Sequence, residues 1–546
     1  MKSDTDKGIN ILEVQDLNID AVNKYGEVLN IVSDINFSVA AGKVISLIGE
    51  SGSGKTTVSL ATMAYARPGC RIRSGKVLLE GRDLLTLNTS ERQQARGADI
   101  AYIAQSAAAA FNSALTIGYQ VTEIAHLKGI MTRQEAKKRA ISLYRQLDLP
   151  NPETIGNLYP HQVSGGQLQR LMAAMAMMCF PKLLILDEPT TALDVTTQIE
   201  VLQAFKRLIQ AEGTAAIYVS HDLAVVTQMA DDVLVLKDGR MVELKSTEDI
   251  IHNPQEKYTQ MLMGAVPQIP ENPVSQSVIK PDTLLKVDNV TAGYGLHGQI
   301  TILRDVCLEM KEGETVGVIG ESGSGKTTLG RVISGLMKPT KGEITLAGNQ
   351  LEHRVQDRSR IDLQQIQFVF QMAETALNPR HRIRHILGRP LEFYLGITGK
   401  AAEERIFELL DLVELPADFI NRFPRELSGG QLQRVNFARA LAADPKLIIC
   451  DEITSALDTL VSKAIIELLL NLKKKLGIAY LFISHDLSTV ANLADSVAVM
   501  RNGEIVEYGS TEEVLKPPYH EYTELLLDSI PKLKQGWLET VSSHIS

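Results

Sequence analysis

Nine residues, Gly49-Glu50-Ser51-Gly52-Ser53-Gly54-Lys55-Thr56-Thr57, occur twice in this chain, the second time as Gly320-Glu321-Ser322-Gly323-Ser324-Gly325-Lys326-Thr327-Thr328. Each copy reads Gly, four residues, then Gly-Lys-Thr. The glycines let the backbone curl so that its N–H groups face inward around a phosphate. The lysine then reaches the β- and γ-phosphates, and the first threonine hydroxyl coordinates Mg²⁺. A single match could be a glycine-rich turn with an incidental lysine, but a nine-residue identity 271 positions apart excludes coincidence. The chain is expected to bind two nucleoside triphosphates.

The duplication extends well beyond the loop. Asp187 recurs as Asp451, Ser164 as Ser428, His221 as His485 and Tyr258 as Tyr522, all at an offset of 264, while Gln105 recurs as Gln371 at 266. Length differences therefore concentrate between the phosphate loop and that glutamine, where surface insertions are tolerated. Ile11–Val14 reads as an edge strand, Ile35–Phe37 as a second short strand, and Val44–Ile48 as a buried strand feeding the loop. Thr56 onward opens a helix with its N-terminus toward the phosphate. Residues 100–162 read as mostly helical, and Leu183–Asp187 and Ala216–Ser220 as further buried strands. Strands alternating with helices predict an α/β fold with a mainly parallel sheet covered on both faces. The expected domains are 1–266 and 282–531. Residues 267–281, with four prolines, read as a linker and 532–546 as a C-terminal tail.

Three more pairs of motifs carry chemistry. Leu184-Ile185-Leu186-Asp187-Glu188 and Ile448-Ile449-Cys450-Asp451-Glu452 each end an apolar strand in paired acids. The Asp can hold Mg²⁺ beside the loop, and the Glu can orient or deprotonate a water. Ser164-Gly165-Gly166-Gln167 and Ser428-Gly429-Gly430-Gln431 are each followed by Leu-Gln-Arg. A Ser-Gly-Gly turn entering a helix offers a hydroxyl, bare amides and a positive dipole to an anion, though it would serve equally as a plain helix cap. Ser220-His221-Asp222 and Ser484-His485-Asp486 follow apolar strands in both copies.

In this order the motifs resemble those of the ABC ATPase family over nearly the whole chain. The resemblance implies two tandem P-loop ATPase domains, each with a mainly parallel sheet core, an antiparallel β subdomain and a helical subdomain. Gln105 and Gln371 match the Q-loop glutamine, implied to contact the metal or water and to sense a transmembrane partner. Ala192-Leu193-Asp194 and Ala456-Leu457-Asp458 match the D-loop, and His221 and His485 the switch histidine that contacts the γ-phosphate. The implied ligands are ATP and Mg²⁺. Gly49, Ser51, Gly52, Gly54, Lys55, Thr56 and Thr57, with Gly320, Ser322, Gly323, Gly325, Lys326, Thr327 and Thr328, form the loops. Thr56, Gln105 and Asp187, with Thr327, Gln371 and Asp451, are the metal set. Glu188, Glu452, His221, His485, Gln105 and Gln371 are the catalytic set. Tyr294 matches the aromatic that stacks on adenine; the same register gives Ala21 in the first half, with Tyr25 nearby. In the family, two domains pair head to tail, so Lys55 is expected to work with Ser428, and Lys326 with Ser164. Two departures stand out: Ile453 replaces the usual Pro, and Ala107–Ala110 replaces the pattern kept in Ala376-Leu377-Asn378-Pro379.

The net charge of −9 offers no basic surplus, so no nucleic-acid partner is expected. Cys70, Cys179, Cys307 and Cys450 are scattered, which argues against a zinc or iron–sulfur site and for a reducing compartment. The longest apolar run, Leu171–Phe180, is too short to cross a bilayer, so any membrane role must come through partners. The tails Tyr258-Thr259-Gln260-Met261-Leu262 and Tyr522-Thr523-Glu524-Leu525-Leu526, each flanked by prolines, resemble those of dipeptide, oligopeptide and nickel importer ATPases. That likeness implies a peripheral protein on the cytoplasmic face of the inner membrane, with two transmembrane permease subunits and, indirectly, an extracytoplasmic solute-binding protein. Some members bind iron–sulfur near this tail; without cysteines there, none is expected. An exporter pair, a ribosome-acting ATPase and a DNA-repair ATPase are the alternatives. The short linker, the missing zinc cysteines and the tails weigh against them.

Overall fold

The computed structural model describes residues 10–22, 26–190, 193–270, 282–295, 299–455 and 457–545. Two units divide the chain: Met1–Val266 together with Pro531–Ser546, and Pro267–Ile530.

In the first unit β1 (Asn10–Val22) pairs antiparallel with β2 (Val28–Ala40). The strand β3 (Val44–Ile48) is buried at all five positions, as expected of an apolar run covered on both faces. Next come β4 (Cys70–Leu79), β5 (Arg82–Asp83), β6 (Ile100–Ile103), β7 (Leu183–Asp187), β8 (Ala215–Val219), β9 (Asp232–Lys237) and β10 (Arg240–Ser246). They assemble in the order β5-β4-β1-β2-β10-β9-β3-β8-β7-β6. The run β9-β3-β8-β7-β6 is parallel throughout, while β1, β2, β4 and β5 form an antiparallel wing. Ile100–Ile103 thus begins the stretch read as mostly helical with an edge strand. The helices Ile117–Leu127 and Arg133–Gln146 follow it.

The second unit repeats this plan with β11 (Thr283–Tyr294), β12 (Ile300–Lys311), β13 (Thr315–Ile319), β14 (Lys341–Leu346), β15 (Asn349–Gln350), β16 (Ile366–Val369), β17 (Leu447–Asp451), β18 (Ala479–Ile483), β19 (Ser496–Arg501) and β20 (Glu504–Ser510). Here the antiparallel wing, β12-β11-β14-β15, and the main sheet, β16-β17-β18-β13-β19-β20, are separate. In the first unit they are joined by a single β10–β2 pairing, Arg240 with Ser33. In both units the strand preceding the phosphate loop lies mid-sheet, so the loop emerges at the carboxyl ends of the parallel strands, the usual ligand edge of such sheets.

The terminal segment expected as a tail is built into the first unit. The helix Trp537–Ile545 buries Trp537, Leu538 and Val541. Gln203 Nε2 donates to the Leu538 carbonyl (3.1 Å), and Lys206 Nζ pairs with Glu539 (2.6 Å). Gln228 Nε2 donates to the carbonyls of Lys532 (2.7 Å) and Lys534 (2.9 Å), and its Oε1 accepts the Leu538 N–H (3.1 Å). At the corresponding place in the second unit, Asn492 Nδ2 donates to the Gln268 carbonyl (2.8 Å). Most of the expected linker, residues 271–281, lies outside the described residues.

Candidate nucleotide site

Each phosphate loop turns from its strand into a helix, Lys55–Ala61 or Lys326–Ile333, capped by a glycine at φ 99° or 106°. A side chain at the first glycine would not fit. A Cβ on Gly49 would stand 2.1 Å from the Leu236 carbonyl oxygen, and one on Gly320 2.1 Å from that of Met500. Lys55 Nζ donates to the carbonyls of Gly49 (2.7 Å) and Glu50 (2.8 Å). Lys326 does the same with Gly320 and Glu321 at the same distances. The hydroxyls of Ser53 and Ser324 are buried inside the loops with no hydrogen-bond partner. Buried hydroxyls of this kind are costly unless something binds them. A cradle that only glycine allows, a buried ammonium held on carbonyls and an unpaired hydroxyl together fit a phosphate ligand.

The acids at the strand ends sit beside this cradle. Thr56 Oγ1 donates to Asp187 Oδ1 (3.1 Å), and Thr327 Oγ1 to Asp451 Oδ1 (2.9 Å). Burial raises both aspartates from the ordinary carboxylate value, only partly offset by hydroxyls that donate to them, Tyr102 and then Thr56 at Asp187 and Thr327 at Asp451. Among the described residues, no group of three or more His, Cys, Asp or Glu could hold a metal by itself. One hydroxyl and one carboxylate instead match Mg²⁺, which takes few protein ligands and completes its shell with water and substrate phosphates.

The following glutamates carry the second half of the site. Glu188 and Glu452 both adopt left-handed backbone (φ 51° and 48°), uncommon for a non-glycine residue and a form of local strain found at functional sites. Gln105 Nε2 donates to Glu188 Oε2 (3.1 Å) and Gln371 Nε2 to Glu452 Oε2 (3.1 Å). His221 Nδ1 lies 3.2 Å from Glu188 Oε1, and His485 Nδ1 3.6 Å from Glu452 Oε1. Three separate sequence segments thus meet at one glutamate in each unit.

Burial alone would depress the His485 imidazole, but its contact with Glu452 overrides this and the net shift is upward. Contact with His485 in turn holds Glu452 below its usual range. The histidine's contribution is complete below its ordinary value of 6.5 and is lost as pH rises through the raised one. The glutamate's is complete above 4.5 and is lost as pH falls through the lowered one. In the nucleotide-free protein, the thermal stability of wild type relative to His485→Ala should therefore peak between these values and shrink on the alkaline side. A difference independent of pH from 5 to 9 would exclude a charged pair.

The signature residues occupy a different helix. Ser164 caps Gly165–Ala176 by accepting the Gln167 N–H (3.2 Å), while Gln167 Oε1 accepts the Ser164 N–H (3.0 Å). Ser428 and Gln431 repeat this box on Gly429–Leu441. A Cβ on Gly166 would strike Thr197 Cγ2 at 2.2 Å, and one on Gly430 would strike Val461 Cγ1 at 2.5 Å. Those glycines therefore allow close approach of the helices Val195–Glu212 and Thr459–Leu476, which Asp194 and Asp458 of the D-loops cap. Ala192 and Ala456 lie outside the described residues, as does Tyr25. Tyr294 is exposed, its hydroxyl 3.5 Å from Arg331 Nη1.

One participant was not anticipated. Tyr102 Oη donates to Asp187 Oδ2 (2.8 Å). The place is taken in the second unit by Phe368, so comparison of the two halves hides it.

Residues 32–191 and 303–455 each match the family described as ABC transporter. The chain belongs to the ABC transporter ATPase family. Residues 242–286 and 506–544 of this ABC ATPase match the family described as oligopeptide/dipeptide transporter, C-terminal region. It is similar to the glutathione import ATP-binding protein GsiA of Escherichia coli K12, with 38% identity over 96% of this chain and 90% of the relative. It is similar also to GsiA of Salmonella paratyphi A, with 38% identity over 95% of this chain and 89% of that one. Among solved structures, CbiO1 from Clostridium perfringens aligns at 27% identity with a TM-score of 0.39, over 43% of this ABC ATPase and 90% of that chain.

Proposed function

We propose that this ABC ATPase is the energy-supplying subunit of an importer for peptides or similar small solutes. It sits on the cytoplasmic face of the inner membrane against two separate permease subunits, with an extracytoplasmic solute-binding protein delivering the solute. The presence of the oligopeptide-type C-terminal region in both halves carries this reading, and similarity to GsiA over nearly both full chains supports it. Neither tail has a cysteine, so the reading includes no iron–sulfur cluster.

In this reading the two halves pair within the chain and enclose two ATP molecules, each between one phosphate loop and the opposite signature turn. Lys55 and Lys326 leave their carbonyls for the β- and γ-phosphates. Thr56, Asp187 and Gln105, with Thr327, Asp451 and Gln371, hold Mg²⁺, which when bound neutralises charge on the phosphate oxygens. Glu188 and Glu452 orient and deprotonate the attacking water, while His221 and His485 turn toward the γ-phosphate. ATP drives closure only because it binds the closed form better, and hydrolysis removes that preference. Membranes solubilised from the native cell test the importer assignment. The tagged chain should retain two integral membrane proteins, more firmly with ATP in a hydrolysis-deficient form. Recovery of ribosomes in their place would overturn it.

A further inference from the structure

The helices Lys257–Met263 and Glu521–Asp528 carry the Tyr-Thr tails, yet none of the steps above uses them. We propose that each helix positions the phosphate loop of its own unit through its tyrosine. The Glu50 N–H donates to Tyr258 Oη (3.1 Å), and the Glu321 N–H to Tyr522 Oη (3.0 Å). Both tyrosines are buried, at 8% and 1% exposure, 208 and 201 residues from the amides they meet.

The contacted amide is not an arbitrary one. The peptide unit joining Gly49 to Glu50 presents its C=O to Lys55 and its N–H to Tyr258. The unit joining Gly320 to Glu321 is held in the same way by Lys326 and Tyr522. When the lysine turns to phosphate it releases the carbonyl, and the tyrosine remains to keep the peptide from rotating. A rotated peptide would drag the amides that follow it in the loop out of their inward-facing arrangement around the phosphates.

The tyrosines are fixed from behind. Lys237 Nζ lies 4.7 Å from the Tyr258 ring centre, and the Arg501 guanidinium 4.8 Å from that of Tyr522. Both cations end the strand leading to a tight turn whose glycine N–H donates to the same loop: Gly239 to the Ser53 carbonyl (3.2 Å) and Gly503 to that of Ser324 (3.0 Å). The start of each helix is tied to the neighbouring strand through an equivalent glutamate, Glu243 or Glu507. Glu243 accepts the N–H groups of Gln255 (3.0 Å) and Glu256 (3.2 Å), and Thr523 donates to Glu507. The C-terminal region therefore acts as a brace for the phosphate loop, and Tyr258 and Tyr522 are positioning residues for ATP.

The inference rests on the loops binding ATP, and Lys55→Ala with Lys326→Ala checks that separately by abolishing Mg-ATP binding. In the full chain, Tyr258→Phe with Tyr522→Phe keeps the rings and removes both hydroxyls. The double variant should raise KM and Kd for Mg-ATP roughly tenfold, the scale of one lost buried hydrogen bond at each site. It should leave kcat within about twofold. Leu262→Ala, on the same helix, should lower Tm without changing KM at a temperature where it is folded. Wild-type KM and Kd in the double variant, or a fall in kcat alone, would overturn the proposal, as would a Tm loss without weaker ATP binding. If one tyrosine variant does not fold, the other reads the same contact in its own unit.

Discussion

Glu188→Gln combined with Glu452→Gln is expected to bind Mg-ATP as well as wild type and to hydrolyse it at least about a hundredfold more slowly. The substitution changes neither size nor shape, and a glutamine carbonyl oxygen can still accept from Gln105 or Gln371. What disappears is the carboxylate's basicity and its negative charge beside the histidine. A positioned general base contributes roughly 10²–10⁴-fold, or about 3–5 kcal/mol of barrier. The phosphate contacts remain, because Lys55, Lys326 and the two threonine–aspartate pairs do not depend on these glutamates. Phosphate release under saturating ATP and equilibrium binding of ATP check the two halves of the expectation. Near-normal release would remove both glutamates from the site.

The second large effect concerns which residues work together. Lys55→Ala and Ser428→Ala should damage one and the same site, so their combination should cost little more than Lys55→Ala alone. Lys55→Ala with Ser164→Ala should damage both sites and lower the rate by roughly tenfold or more beyond the single variant. Residues that act as a unit are strongly non-additive, so the comparison reads the pairing directly. Thermal unfolding serves as a control, because Ser164 and Ser428 cap their helices and their loss costs about 1 kcal/mol of stability whichever lysine they serve. Equal rates for the two combinations would exclude shared sites.

The phosphate loops, the strand-end acids, the glutamines and the histidines could all be read from the sequence. Phosphate and Mg²⁺ chemistry admits few side chains at these points, and duplication supplied a check on each. The parallel strands were legible for a related reason: four consecutive apolar residues such as Leu183–Leu186, ahead of Asp187, have no exposed face to alternate toward. Ile100–Ile103 was harder to read, since four apolar residues before a helical region carry little period. The turns Asp238-Gly239 and Asn502-Gly503, with φ positive at both residues of each pair, follow a recognisable hairpin pattern. Tyr102 left no trace because a hydroxyl on an edge strand acquires meaning only when β7 brings Asp187 beside it. The tyrosine brace lay in residues already singled out for their likeness to importer tails. Its contact with Glu50 spans most of a domain, and local pattern cannot show it.

The seat of the terminal helix on the first unit also sets an order of events in synthesis. A domain that ended at Val266 could finish folding as soon as that residue left the ribosome. Here Trp537, Leu538 and Val541 are still to be made, and the whole of Pro267–Ile530 is translated before them. At ~5–20 residues per second, the first unit waits on the order of tens of seconds with the carboxamide of Gln228 and the ammonium of Lys206 lacking those partners. The half of the protein that is made first is therefore completed last.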